Sequence, residues 1–279
     1  MKREKNNSLL YLKFFIFAAL LVIFLGIIIR LFNQYQNREF VNNSYNLLII
    51  SDKYVGIIGI DSLGSSFSAI AVTKDLENLK RENILLQSIN FGIPIHGYVV
   101  YPKGEEPYDP TPNFLSWGNI QNILSDPSIK KKNITFFDWM KLYSERKKIA
   151  SENTIIKSYA TITDVRGLLS KESDLYFQNS EIVNEKTSLQ IVNGTRVNGL
   201  GNRIGEMYSR VGFNVVSIVT EQGRKDSEIL YSNKLKSDQA ELIQKSFNFP
   251  ITYDEDAQIA DITIIIGEES ELELENLMD

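Results

Sequence analysis

Sixteen consecutive uncharged residues, Phe14 to Ile29 (FFIFAALLVIFLGIII), constrain this chain more than any other feature. At 1.5 Å per residue the run spans about 24 Å. Snorkelling by Lys13 and Arg30 at its ends extends the reach to roughly the 30 Å of a bilayer core. The pattern predicts one transmembrane helix over residues 9–32, with the lipid bilayer as its partner. Lys2, Arg3, Lys5 and Lys13 precede the uncharged run, while only Arg30 and Arg38 follow it closely. The positive-inside bias therefore puts residues 1–8 in the cytoplasm and the rest outside the cell membrane. A cleaved signal peptide shares this layout. The exit IIIRLFNQYQNREF has no small-x-small cleavage site, however, and the apolar run is longer than a usual signal core, which favours an uncleaved signal anchor.

Beyond the helix the composition is that of a folded protein, with 43% hydrophobic and 23% charged residues over the 279-residue chain. No Cys is present, which removes disulfides, thiolate metal sites and cysteine nucleophiles. The single His96 precludes a multi-histidine metal site. Residues 33–279 hold 25 basic and 34 acidic side chains, a net charge of −9. Such a surface has no general affinity for nucleic acid or anionic polymer, so any contact of that kind must be local.

After a polar tether, Gln34 to Ser44, come the compact apolar runs Tyr45–Ile50, Val55–Ile60, Phe67–Val72 and Tyr98–Tyr101. Runs of this length bounded by Gly, Asp and Ser are signatures of buried strands. Helical spacing appears in Lys74–Ser88, Phe114–Leu124 and Thr135–Ile149, the last opening with Thr135 as N-cap and Asp138 three residues on. Lys103–Pro112 carries three of the seven prolines and is a loop. Residues 45–180 thus form a mixed α/β domain.

A second unit follows. Ser188–Val192, Phe213–Val219, Glu228–Tyr231 and Ile262–Ile266 are strands, and Asn198–Val211 and Asp238–Phe247 are amphipathic helices. Gly212 closes the first of these helices. The order β-α-β-β-α-β predicts a small ferredoxin-like domain. Residues 268–279 hold six acidic side chains and no basic one, the pattern of a solubilising, frayed tail.

The motifs Leu189–Thr195 (LQIVNGT), Gly199-Leu200-Gly201, Gly212–Val216 (GFNVV) and Ala260–Gly267 (ADITIIIG) resemble the C-terminal domain of LytR/CpsA/Psr (LCP) envelope proteins over residues 187–267. The resemblance implies an extracytoplasmic accessory domain that contacts the envelope, without established catalysis. In that family the domain often follows a membrane anchor and a catalytic domain that transfers lipid-linked glycopolymer to peptidoglycan. Residues 45–72 and Phe91–Val100 are similar to fragments of the catalytic domain. It holds pyrophosphate with several arginines and Mg²⁺ with carboxylates, including an Arg-x-Asp-Thr pattern. Here Asp61–Ser68 contains no Arg, and residues 45–180 hold only Arg81, Arg146 and Arg166. Without its charge clamp such a site loses the electrostatic stabilisation on which phosphoryl transfer depends. The region is thus a degenerate relative, and a divergent glycopolymer phosphotransferase is the alternative. A DNA-binding attenuator conflicts with the topology, since so short a cytoplasmic tail cannot form a DNA-binding domain.

The loop Asn193, Gly194, Thr195, Arg196, Gly199 and Gly201, with Arg203 beside it, follows a strand and opens a helix. It is either a ligand-free glycine turn or a contact for phosphate or wall polymer on free backbone N–H groups. It fits neither a P-loop nor a dinucleotide fingerprint. Lys130–Lys148 carries seven basic and two acidic residues interleaved with Phe136, Phe137, Trp139 and Tyr143. This is either a solvated face over an aromatic core or a surface for anionic lipid or polymer. Asp61-Ser62 and His96 read as structural. Asn133-Ile134-Thr135 and Asn193-Gly194-Thr195 fit the glycosylation sequon, which means little in a bacterial-looking protein. The sequence assigns no catalytic residue, metal or cofactor. The expected partners are the bilayer and either peptidoglycan, an anionic wall polymer or an envelope protein, with no nucleic acid among them.

Overall fold

The computed structural model describes residues 4–36, 40, 43–73, 84–104, 115–161, 163, 177–256 and 259–270. Helix α1, Glu4–Gln36, contains the apolar segment. Its stretch Leu10–Gln36 is long and apolar enough to cross a membrane, and no part of its most apolar window is buried against the protein. Of the tether expected over residues 34–44, residues 37–39, 41 and 42 lie outside the described residues. α1 runs on through Gln36, and Phe40 is already buried in the next domain.

Six strands form the first sheet: β1 Ser44–Ile50, β2 Val55–Asp61, β3 Ser66–Val72, β4 Gly97–Val100, β5 Lys130–Lys132 and β6 Thr154–Tyr159, in the order β5-β4-β1-β2-β3-β6. β1, β2 and β3 make an antiparallel meander; β4 lies parallel to β1 and β6 parallel to β3. The runs YNLLII and VGIIGI lack polar alternation because both faces of these strands are covered. On one face Leu47, Ile49, Ile58, Ile60 and Phe67 pack against Ile120 and Ile123 of α3, Trp117–Ser125, and Trp139 and Leu142 of α4, Phe136–Lys148. On the other face Leu48, Ile57, Ile70 and Val72 meet Ile84 and Phe91 of α2, Ile84–Phe91. Of the helix expected over 74–88, residues 74–83 lie outside the described residues, and the observed turns run on to Phe91. The prolines of the expected loop at 103–112 also lie outside the described residues.

α5, Ser180–Glu185, leads into the second sheet: β7 Ser188–Asn193, β8 Asn214–Thr220, β9 Glu228–Tyr231, β10 Ile251–Tyr253 and β11 Ile262–Ile266, ordered β10-β9-β11-β7-β8. α6, Leu200–Val211, and α7, Ser237–Phe247, supply its helical layer. The α/β class is as the sequence predicts, and so is the β-α-β-β-α-β order of the second unit, with the short β10 added; β5, β6 and α5 are elements the sequence pattern does not predict. The strand arrangement differs from the split ferredoxin-like pattern. β7 and β8 are direct parallel neighbours joined through α6, and β11 is parallel to β7 but antiparallel to β9. Strand neighbours depend on long-range pairing, which order along the chain leaves undetermined.

The acidic end is partly structured. Glu268–Ser270 forms a 3₁₀ turn whose Glu268 and Glu269 amides donate to the carbonyls of Arg224 and Lys225. Glu269 also accepts from the Ser227 amide at 2.9 Å. Residues 271–279 lie outside the described residues.

The two sheets are fastened together. Asn179 caps α5 by accepting from the Glu181 and Ile182 amides, and its Nδ2 donates to Ser44 Oγ at 2.7 Å. Asp61 accepts from the Ser180 amide at 2.9 Å. Leu85 and Ile89 of α2 enter the same core as α6 and α7, so α2 is shared by both sheets.

Candidate binding surface

The loop from β7 into α6 is built by its own side chains. Asn193 Oδ1 accepts from the Thr195 amide at 3.1 Å and the Thr195 hydroxyl at 2.7 Å, while its Nδ2 donates to the Val197 carbonyl at 3.1 Å. Thr195 Oγ1 in turn accepts from the Val197 amide at 3.1 Å. This is an Asx turn in which one short amide replaces missing backbone partners. The Gly194 amide donates to the Ile266 carbonyl at 2.8 Å, and a Cβ on Gly194 would sit 2.6 Å from Arg224 Cβ. At Gly201 a Cβ would approach Ile218 Cγ2 to 3.0 Å, so that glycine lets α6 lie close on β8. Gly199 starts the helix in a left-handed conformation, with φ at 73°.

The seven candidate residues therefore divide. Asn193, Gly194, Thr195 and Gly201 are buried, and their polar or steric properties are used in folding. Arg196, Gly199 and Arg203 face outward at the start of α6, and these three remain as the surface a ligand would meet.

The basic stretch is arranged differently. Thr135 and Asp138 form a reciprocal capping box at the start of α4. Asp138 Oδ1 also accepts from the Phe40 amide at 2.8 Å, and Lys141 Nζ donates to the Phe40 carbonyl at 3.1 Å. The chain leaving α1 is thus clamped onto the first turns of α4, and Tyr35 of α1 meets Phe137 edge-on at 5.5 Å. Lys131 donates to the Ile123 and Asp126 carbonyls at the end of α3, and burial lowers its pKa. Arg146 lies over the Phe67 ring and donates to the Ile149 carbonyl, and its pKa is likewise lowered by burial. The solvent-facing cations are Lys130, Lys132, Lys147 and Lys148.

Asp61 and His96 serve structure. Asp61 holds Ser180 and the Leu63 amide. His96 Nδ1 accepts from the Asn46 amide at 2.8 Å, and burial, reinforced by the charge of Lys245, pushes its pKa down to about 3. Arg81 and Arg166 lie outside the described residues. Among the described residues, no three His, Asp or Glu side chains converge as a metal site.

Residues 186–269 match the family model described as LytR cell envelope-related transcriptional attenuator, LytR_C. The match extends the expected 187–267 by one residue at the start and by two at the end, the latter taking in Glu268 and Glu269 of the 3₁₀ turn. The second sheet and its helices are thus a LytR_C-type domain. No curated protein matches the chain. Among solved structures it is similar to the Lin1025 protein from Listeria innocua, at 7% identity, covering 48% of this chain and 98% of that one with a TM-score of 0.32. It is also similar to the transcriptional regulator yvhJ from Bacillus subtilis, at 12% identity, 46% and 95% coverage and a TM-score of 0.28.

Proposed function

We propose that this is a single-pass, membrane-anchored protein of the cell envelope that acts by binding rather than by catalysis. α1 spans the cell membrane with its N-terminus in the cytoplasm, and the LytR_C-type domain contacts wall polymer or an envelope protein outside. The observation that carries the reading is the pairing of an unburied apolar helix, Leu10–Gln36, with a LytR_C match over 186–269 in one chain. In an ectodomain of net charge −9, the outward Arg196 and Arg203 at the positive end of α6 supply a local site for an anionic polymer.

The test is cosedimentation of the full-length protein, in detergent, with purified wall sacculi. Removing the LytR_C-type domain would strip the cover from Leu85 and Ile89, so the comparison uses Arg196→Glu with Arg203→Glu. Binding that falls with the double substitution supports polymer contact at this loop. Undiminished binding moves the contact elsewhere, and no binding by either protein points to a protein partner. Covalent transfer of labelled lipid-linked glycan by the purified protein would overturn the non-catalytic reading.

A further inference from the structure

The outward side of α4 differs from the net-acidic composition of residues 33–279. Phe136 and Met140, one turn apart, are 38% and 37% exposed, and Lys147 continues the same stripe with Lys148 beside it. The two acidic residues of the helix are withdrawn from this side. Asp138 is buried in the capping box, and the Glu145 side chain is 15% exposed and paired with Lys148. Lys130 and Lys132, opposite Val100 and Tyr98 on the edge strand, lie on the other face of the first sheet and take no part in this side. An exposed aromatic–methionine patch followed by cations, with no exposed acid, has the composition of a helix that lies in a membrane interface.

The anchor fixes where this patch sits. Tyr35, which touches Phe137, is three residues beyond Phe32, the last apolar residue of the span, a rise of about 4.5 Å. That height is the headgroup level, where Tyr side chains concentrate. The chain then has only residues 37–39 between the end of α1 and Phe40, which is bound to Asp138 and Lys141. Four extended peptide steps reach at most about 14 Å, so α4 cannot stand far from the bilayer that α1 crosses.

We infer that α4 lies on the outer leaflet of that bilayer. Phe136, Phe137 and Met140 enter the boundary between headgroups and acyl chains, and Lys147 and Lys148 bind the phosphates of anionic phospholipids. A hydrophilic wall polymer would satisfy the cations but would leave Phe136 and Met140 in water, which favours lipid. The inference rests on the membrane-spanning reading of α1 and adds to it a second contact that sets the orientation of the first sheet on the membrane.

Because the chain has no Cys, one introduced thiol labels one place. The full-length protein carrying Met140→Cys, or Phe136→Cys as a second site, is labelled with an environment-sensitive fluorophore. It is then reconstituted into phosphatidylcholine vesicles with or without phosphatidylglycerol, and Val216→Cys on β8 serves as the distant control. Flotation after alkaline washing reports the anchor, and quenching by a lipid-borne nitroxide reports the helix. The expected result is a blue shift and lipid quenching at positions 140 and 136 in phosphatidylglycerol vesicles and none at 216. Most of the quenching is lost when Lys147→Glu and Lys148→Glu are added, with thermal unfolding unchanged. A protein that floats but shows no lipid quenching at 140 or 136 overturns the inference while leaving the anchor intact. Equal quenching in neutral vesicles overturns the anionic-lipid contact. Protection of the label by soluble polyglycerol phosphate, without lipid quenching, assigns the face to polymer instead. Failure to float overturns both readings.

Discussion

The loop entering α6 and the basic stretch around α4 both join polar turn residues to cations, yet they use them in opposite ways. At the loop, the residues that resemble a ligand cradle are turned inward. Asn193 and Thr195 bond to each other and to Val197, and Gly194 and Gly201 make room for Arg224 and Ile218. At α4 the capping box and Trp139 hold the inner face, while Phe136, Met140, Lys147 and Lys148 stay outside. Hydrogen-bonding capacity used within a fold is withdrawn from ligands, whereas apolar and charged groups left outside need a neighbour to explain them.

Trp139→Ala sharpens this contrast most. Trp139 is fully buried between α4 and the sheet, so the substitution should cost about 3–5 kcal/mol, read by denaturant unfolding. A cost below about 1 kcal/mol would mean that α4 is not held by its inner face. Asn193→Ala should cost about 1–3 kcal/mol, because it leaves the buried Thr195 amide and hydroxyl without their acceptor. A neutral Asn193→Ala variant that lost sacculus binding would break the contrast by returning Asn193 to ligand contact.

His96 belongs with the groups used inside the fold, and it gives a pH test. In the unfolded chain its imidazole gains a proton below about 6.5, whereas the buried ring resists until about 3. Acid therefore favours the unfolded state across that window. This contribution is complete above the unfolded pKa and is lost as pH falls towards the folded one. Thermal unfolding should show a loss of about 2 kcal/mol between pH 6.5 and pH 5, at about 1.4 kcal/mol per unit. His96→Gln, whose side-chain carbonyl keeps an acceptor for the Asn46 amide, should flatten the profile. The smallest effect belongs to Arg196→Ala and Arg203→Ala. Both positions are exposed, so stability should change by no more than about 0.5 kcal/mol. Any loss of sacculus binding is then a surface effect.

Local signals made much of the fold legible. The strands Tyr45–Ile50 and Val55–Ile60 lie within one residue of their observed bounds, because burial on both faces leaves an unbroken apolar run. Thr135 and Asp138 announced α4 through capping chemistry, which is local by nature. β5 was hidden because its residues, Lys130–Lys132, have no apolar pattern. They extend only because β4 offers an edge. The direct β7–β8 pairing and the sharing of α2 between two cores are long-range choices that periodicity does not encode. At the candidate loop, the turn was readable from Asn-Gly-Thr, but which members face inward depends on Ile266, Ile218 and Arg224, distant in sequence. The clamp of Asp138 and Lys141 on Phe40 joins residues about a hundred positions apart and left no sequence signal.

On the proposed reading α1 anchors folded domains that lie outside the membrane, and thiol accessibility in intact cells probes that topology. Single cysteines placed by Ser8→Cys and Val216→Cys in the otherwise cysteine-free chain are exposed to a membrane-impermeant maleimide before and after lysis. Position 216 should be labelled in intact cells and position 8 only after lysis. Labelling at 8 with protection at 216 in intact cells, or protection of both until lysis, would contradict that topology.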